Sequence, residues 1–194
     1  NASATMPHKS RLYLYDTTLR DGAQTSGVDF SVDDKIIVAR MIEGLGLAYI
    51  EGGYPGANPT DDAFFTEKRT TKARFVAFGM TKRPGVSLSN DPGVAALLAA
   101  EADAVTFVAK SWDYHVDVAL KTTLEDNIDC IRQSVAAAVA AGREAMVDCE
   151  HFFDGYTLNR AYAVEAARVA AESGAEVIAL CDTNGGMLPS EVAD

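Results

Sequence analysis

Two stretches, Ala145-Met146-Val147-Asp148-Cys149 and Val177-Ile178-Ala179-Leu180-Cys181, decide how this chain is read. Each is short, apolar and continuous. A helical stretch from about Asn159 to Gly174 lies between them. A strand, a helix and a second strand within about 30 residues make one βα repeat. Working toward the N-terminus, the same spacing brings up Ala104–Val108, Phe75–Phe78, Tyr49–Glu51 and Leu12–Tyr15, each flanked by Gly, Pro, Asp or Asn. None alternates polar with apolar, as expected for parallel strands covered by helices. Between the strands, Ile37, Met41 and Leu45 repeat every four residues, and Ser31 with Asp34 forms a capping-box pattern ahead of them. Leu124, Ile128, Ile131, Val135 and Val139 make a second stripe, beginning near Thr123 and ending at Gly142. A further helix is expected to open at Pro189.

Six such units without a glycine-rich phosphate fingerprint favour a (β/α)8 barrel over a doubly wound sheet. Eight units need about 250 residues, and this chain has 194. The expected fold is therefore α/β, a TIM barrel truncated to about six βα units. Residues 11–194 would form a partial TIM barrel, with the last two strands absent. Residues 1–10 are expected to be disordered or tag-derived, because a small polar run precedes the internal Met6. Such an open sheet would leave its first and sixth strands as edges, so a homodimer or higher homo-oligomer is expected.

The composition narrows the partners. With 28 acidic and 17 basic residues, the net charge is −11. That argues against gripping nucleic acid or an anionic membrane. No apolar run approaches the ~20 residues of a membrane helix. The three cysteines, Cys130, Cys149 and Cys181, have no metal-type spacing and read as reduced thiols in a cytoplasmic protein.

In a parallel barrel, reactive groups stand where the strands end. Read in order, the strand exits carry Asp16-Thr17-Thr18-Leu19-Arg20-Asp21-Gly22-Ala23-Gln24, then Glu51-Gly52-Gly53, then Gly79-Met80-Thr81-Lys82. After these come Lys110-Ser111-Trp112-Asp113-Tyr114-His115, Asp148-Cys149-Glu150-His151 and Asp182-Thr183-Asn184-Gly185-Gly186. A barrel needs no such gathering of acids, amides and hydroxyls for stability alone. The bland readings still weigh on single positions. Glu51 and Glu150 could be structural strand-end carboxylates. His115 could simply cap its loop, and His151 could bond a neighbouring strand end. Trp112 reads first as packing, and Asn184-Gly185-Gly186 as a turn.

The first exit, Asp-Thr-Thr-Leu-Arg-Asp-Gly-x-Gln, resembles the signature of the DRE-TIM metallolyase superfamily. That group holds the 2-isopropylmalate, homocitrate and citramalate synthases and the hydroxymethylglutaryl-CoA lyases. Ile50-Glu51-Gly52-Gly53-Tyr54-Pro55 and Leu180-Cys181-Asp182-Thr183-Asn184-Gly185 resemble its second- and sixth-strand motifs. Lys110-Ser111-Trp112 through His115, with Glu150-His151-Phe152-Phe153-Asp154-Gly155-Tyr156, is most similar to the citramalate synthase branch.

The resemblance implies a metal-dependent Claisen-type acyltransferase that joins acetyl-CoA to a 2-oxo acid. Pyruvate giving citramalate is the first choice, a reaction feeding branched-chain amino-acid synthesis. 2-Isopropylmalate synthase, homocitrate synthase and a hydroxymethylglutaryl-CoA-type lyase are alternatives, and an inactive assembly fragment is the rival of another class. It also implies roles. Asp21 would ligate a divalent metal (Mg, Mn or Zn), being a hard oxygen donor. Arg20 would stabilise the developing alkoxide, its planar donor fork being suited to that charge. Glu150 would act beside it in catalysis by orienting substrate or water. Arg20, Gln24, Glu51, His115 and Thr183 would line the substrate. The family completes its metal site with a His-x-His pair on the seventh strand, which His8, His115 and His151 do not form. The 194-residue piece by itself is accordingly expected to be inactive.

Overall fold

The computed structural model describes residues 12–67 and 72–194. The expected N-terminal segment, residues 1–10, lies outside them. Six strands form one sheet: β1 (Tyr15–Asp16), β2 (Tyr49–Gly53), β3 (Arg74–Met80), β4 (Ala104–Lys110), β5 (Glu144–Glu150) and β6 (Val177–Leu180). They lie in sequence order, and every pairing is parallel. Among the described residues β1 and β6 are the two ends of the sheet and do not pair with each other. The sheet curls as three-quarters of an eight-stranded barrel would.

Five helices pack on the sheet, α1 (Val32–Gly44), α2 (Pro59–Thr66), α3 (Pro92–Ala99), α5 (Leu124–Ala140) and α7 (Arg160–Glu172), while a short α4 (Asp113–His115), α6 (Phe152–Leu158) and a short α8 (Pro189–Ala193) follow the exits of β4, β5 and β6. The expected helix starts hold. Ser31 and Asp34 form both bonds of a capping box, and Thr123 accepts from Asp126 N at the head of α5. Gly142 follows α5 with a positive φ of 74°. The sequence reading did not single out α2 and α3. At eight residues each, they are too short to show a period, although Asn58-Pro59 and Asp91-Pro92 carry N-cap and first-turn chemistry.

Side chains alternate across each strand, and the register shows which go where. On β5, Ala145, Val147 and Cys149 are fully buried under the helices, in the main core with Phe107, Ile131, Val135 and Ala166. Met146 points the other way and joins Val76, Ala104, Tyr15 and Tyr49 on the concave side. Asp148 and Glu150 share that phase, and so do Thr106 and Lys110 on β4, which pairs with β5 from Ala104↔Glu144 to Lys110↔Glu150. The inner face is thus apolar at Val76, Ala104 and Met146, between a charged floor and polar strand exits.

Two expectations need correction. The Ile37, Met41 and Leu45 stripe is exposed, and α1 instead buries Lys35, Ala39 and Ile42. A four-residue spacing marks one face of a helix without saying which face meets the sheet. The first strand is also shorter than Leu12–Tyr15. Leu12, Tyr13 and Leu14 are exposed, and only Tyr15 and Asp16 pair with β2. With a neighbour on one side only, β1 has half the ladder that fixes a central strand.

Candidate active site

The loop after β1 is a tight turn. Asp16 Oδ1 accepts from Thr18 N at 2.9 Å. Thr17 O accepts from the amides of Arg20, Asp21 and Gly22. Leu19 is driven into the core, fully buried, and that anchors Arg20 over the barrel mouth. The Arg20 side chain is 14% exposed, its guanidinium 3.8 Å from the centroid of the Phe78 ring. Its Nε donates to Glu51 Oε1 on β2, and its Nη1 donates to Asp21 Oδ1 at 3.0 Å. Two of the five N–H donors of a guanidinium are thereby engaged, and three are left for an incoming anion.

Glu51 is buried. Its second oxygen accepts from Tyr15 OH, and that hydroxyl also meets Thr106 Oγ1 at 2.9 Å. The network therefore crosses from β1 to β2 and β4. Burial pushes the Glu51 carboxyl up, against the downward pull of Tyr15 and Arg20. Burial likewise raises the Tyr15 phenol, with the Glu51 charge adding to it. On β5, burial pushes Asp148 up to about 6, reinforced by the Glu51 charge and opposed by Arg20. Glu150 pairs with Lys110, and its backbone carbonyl accepts from Ser111 Oγ at 2.7 Å. Gly155 lets α6 close onto this exit: a Cβ there would stand 2.4 Å from Ser111 O.

A second group sits at the exits of β4, β5 and β6. His151, with φ 53°, donates its backbone N–H to Thr183 Oγ1 at 2.8 Å. Its Nδ1 lies 2.8 Å from Asp154 Oδ2. The His115 and His151 rings meet edge to face at 4.5 Å, and Trp112 packs on His115 at 4.7 Å. His115 Nδ1 and Trp112 Nε1 are buried with no hydrogen-bond partner among the described residues. Burial first, then His151 and Lys110, lowers the His115 pKa, so the ring is neutral at pH 7 and can accept or donate.

Of the residues singled out from sequence, Arg20, Asp21 and Glu51 are in direct contact. Glu150 stands across the mouth with Lys110, and His115 and Thr183 flank it through His151. Gln24 is on the exposed rim, lining with Arg20, Tyr54 and Asn58 a cavity of about 330 Å³. Tyr15 and Thr106 were not singled out, and Asp148 was read at its exit without a role, although all three lie in phase with Glu51, Lys110 and Glu150 on otherwise apolar strands. Polar residues in register on one strand face were the available signal. The cysteines are free, and burial pushes Cys149 up to about 12 and Cys181 up to about 11. Neither is a thiolate nucleophile at neutral pH.

The metal expectation rests on Asp21. Its carboxylate is 62% exposed at the rim and is a hard oxygen donor, so it fits as one ligand of a divalent cation. Among the described residues no three His, Cys, Asp or Glu side chains converge as a cation site.

A curled parallel sheet with covering helices, its polar groups collected where the strands end, defines a partial TIM-barrel domain, a fold whose reactive groups stand at that end. The fold agrees with solved structures: the HMG-CoA lyase of Bacillus subtilis superposes with a TM-score of 0.75 at 18% identity, over 96% of this chain and 63% of that one. The chain belongs to the HMGL-like family, whose sequence pattern matches residues 11–194. Among its relatives, the (R)-citramalate synthase of Streptomyces coelicolor is 47% identical over 194 residues, 98% of this chain and 36% of that protein. The (R)-citramalate synthase of Aquifex aeolicus is 48% identical over 185 residues, 94% of this chain and 35% of that protein. The chain thus spans about a third of the length of these relatives.

Proposed function

We propose that the protein containing this chain is a metal-dependent acyltransferase that condenses acetyl-CoA with a 2-oxo acid, pyruvate first, giving citramalate and free CoA. Residues 11–194 are its partial catalytic barrel. The observation that carries the reading is Arg20, held inward over Phe78 and fixed by Glu51, with three N–H donors left over. In the condensation, a base takes a proton from the methyl group of acetyl-CoA, the carbanion attacks the ketone carbon, and the ketone oxygen takes up negative charge and then a proton. Water cleaves the thioester and CoA leaves as the thiol. Donors already aimed at the ketone oxygen stabilise the transition state more than the ground state. Glu51 sets the orientation of the fork, and Asp21 and Phe78 restrict its swing.

Asp21 would hold a divalent cation, with further ligands from outside this chain. The cation would supply Lewis acidity toward the ketone and carboxylate oxygens. Glu150 would orient the substrate or the water that hydrolyses the thioester, its charge tempered by Lys110. Gln24, Glu51, His115 and Thr183 would line the substrate, with His115 Nδ1 offering a buried polar atom that needs a partner. In the whole protein, the exposed sheet ends and α1 stripe would be covered by further chain or by a second copy, consistent with a homo-oligomer.

The test is CoA thiol release by the full-length protein from acetyl-CoA with pyruvate, 2-oxoisovalerate or 2-oxoglutarate. Release with pyruvate is expected. Release with one of the others moves the assignment within the synthases. Release with none, together with cleavage of a hydroxyacyl-CoA, replaces the synthase with a lyase.

A further inference from the structure

We infer that Lys35 is a positioning residue: its buried ammonium fixes Arg20 against Glu51 by binding the backbone on either side of that ion pair. Lys35 is in the first turn of α1 and only 2% exposed. A buried ammonium is costly, and a cation near a helix N-terminus opposes the helix dipole. Local stability would favour an apolar side chain there.

What the ammonium touches accounts for its presence. Its Nζ donates to Leu19 O at 2.8 Å, to Gly52 O at 2.9 Å and to Asp61 Oδ1. All three donors of the group are used. Leu19 immediately precedes Arg20, and Gly52 immediately follows Glu51. One side chain therefore sets the register between the two exits that present the guanidinium and its carboxylate. Asp61 is itself locked, its Oδ2 accepting from Tyr54 N at 2.7 Å and from Asn58 Nδ2 at 2.9 Å.

The β2 exit is shaped to admit this clamp. A Cβ on Gly53 would stand 2.5 Å from the Asp61 carboxyl carbon, and one on Gly52 would stand 2.8 Å from the Phe64 ring. The paired glycines after Glu51 leave room for the Lys35–Asp61 pair as much as they make a turn. The sheet register also shifts between Glu51 and Gly53, so the ladder alone does not set the height of the exit.

This inference rests on Arg20 acting at the transition state, and the experiment separates the two ideas. In the full-length protein, Lys35→Met is expected to lower kcat by about 100-fold, the cost of a small misplacement at a reacting centre. In an Arg20→Ala background the same change is expected to cost less than about threefold, because the residue it positions is gone. An equal factor in both backgrounds, or no loss in the first, overturns the inference. Lys35→Arg keeps the charge but changes the donor geometry. If Lys35→Met does not fold, Lys35→Arg and Asp61→Asn carry the same cycle and are read by the same criterion. Hydrogen exchange supplies a readout that needs no activity. The amides of Arg20, Asp21 and Gly22, bonded to Thr17 O, are expected to lose about tenfold or more of their protection in the variant, while β4 and β5 keep theirs. Unchanged protection overturns the clamp even if the full-length protein releases no CoA, the outcome that would instead remove the proposed reaction.

Discussion

The barrel has two open ends, and both are charged. At the floor, where the strands begin, Arg74 pairs with Glu144 at 2.5 Å, and Tyr49 OH donates to the same carboxylate at 2.8 Å. The floor also holds the larger cavity, about 820 Å³ against about 330 Å³ beside Arg20. Volume alone would put the chemistry there. The charges point to the other end. On the floor, three acids, Glu43, Glu144 and Glu176, are matched by three bases, Lys72, Arg74 and Arg143, and the Arg74 side chain is 48% exposed. At the mouth, four carboxylates, Asp21, Glu51, Asp148 and Glu150, surround two cations, Arg20 and Lys110. Two of those carboxyls are pushed up by burial. An excess of acid held in partial burial is unfavourable for folding and marks a functional site more readily than a stabilising device. A balanced, wet ion pair does neither.

The sharpest way to break that contrast is Arg20→Lys. It keeps the charge and loses the planar fork. In the full-length protein kcat is expected to fall by about 10²- to 10³-fold, the range for loss of a transition-state donor. Steady-state thiol release measures it, and a rate within a few-fold of wild type would remove Arg20 from the chemistry. Next in size is Asp21→Ala. Metal affinity, followed by titration of the apo protein, is expected to weaken by at least the ~10- to 100-fold that loss of an outer partner alone costs. Unchanged affinity would mean that the rim carboxylate is not a ligand.

Much of this contrast is visible in the residues themselves. The six strands, their order and the exits bearing Arg20, Glu51, Glu150 and Thr183 follow from short apolar runs at a fixed spacing. Where the reading missed, the cause is geometric. Ile37, Met41 and Leu45 show that a helix has an apolar face, but which face meets the sheet depends on the angle at which the chain enters α1. The buried face carries Lys35, a charged residue that no hydrophobic pattern would place inside. Tyr15 and Thr106 escaped notice because they lie within strands rather than after them, and Asp148 was read at its exit without a role. Only the pairing of β4 with β5 shows that Asp148 faces the same lumen as Glu51.

Asp148 offers a smaller effect with a definite sign. Its carboxyl is raised to about 6 in the folded protein, mainly by burial, against about 3.9 for an unfolded Asp. Between those values the native state holds a proton that the unfolded state has released. Stability from this group is therefore full below pH ~4 and is lost as pH rises to ~6. Asp148→Asn, which stays neutral, is expected to flatten that segment of the curve and raise Tm at pH 7 relative to wild type. Thermal melts across pH 4 to 8 check it. Parallel curves for variant and wild type would show that Asp148 is already solvated like a surface acid.

The smallest effect is the one that completes the comparison. If the floor is structural, Arg74→Lys should leave kcat and KM within about twofold, because a half-exposed ion pair contributes about 1 kcal/mol or less. Lysine can still reach Glu144, and the Tyr49 hydroxyl still donates to that carboxylate, so no buried charge is stranded. Steady-state kinetics on the same preparation as Arg20→Lys put the two ends side by side. A fall at Arg74 comparable to that at Arg20 would give the larger cavity a part in turnover. It would also show that the two ends of the barrel are coupled through Tyr49 and Tyr15, whose rings stack at 5.9 Å along the lumen.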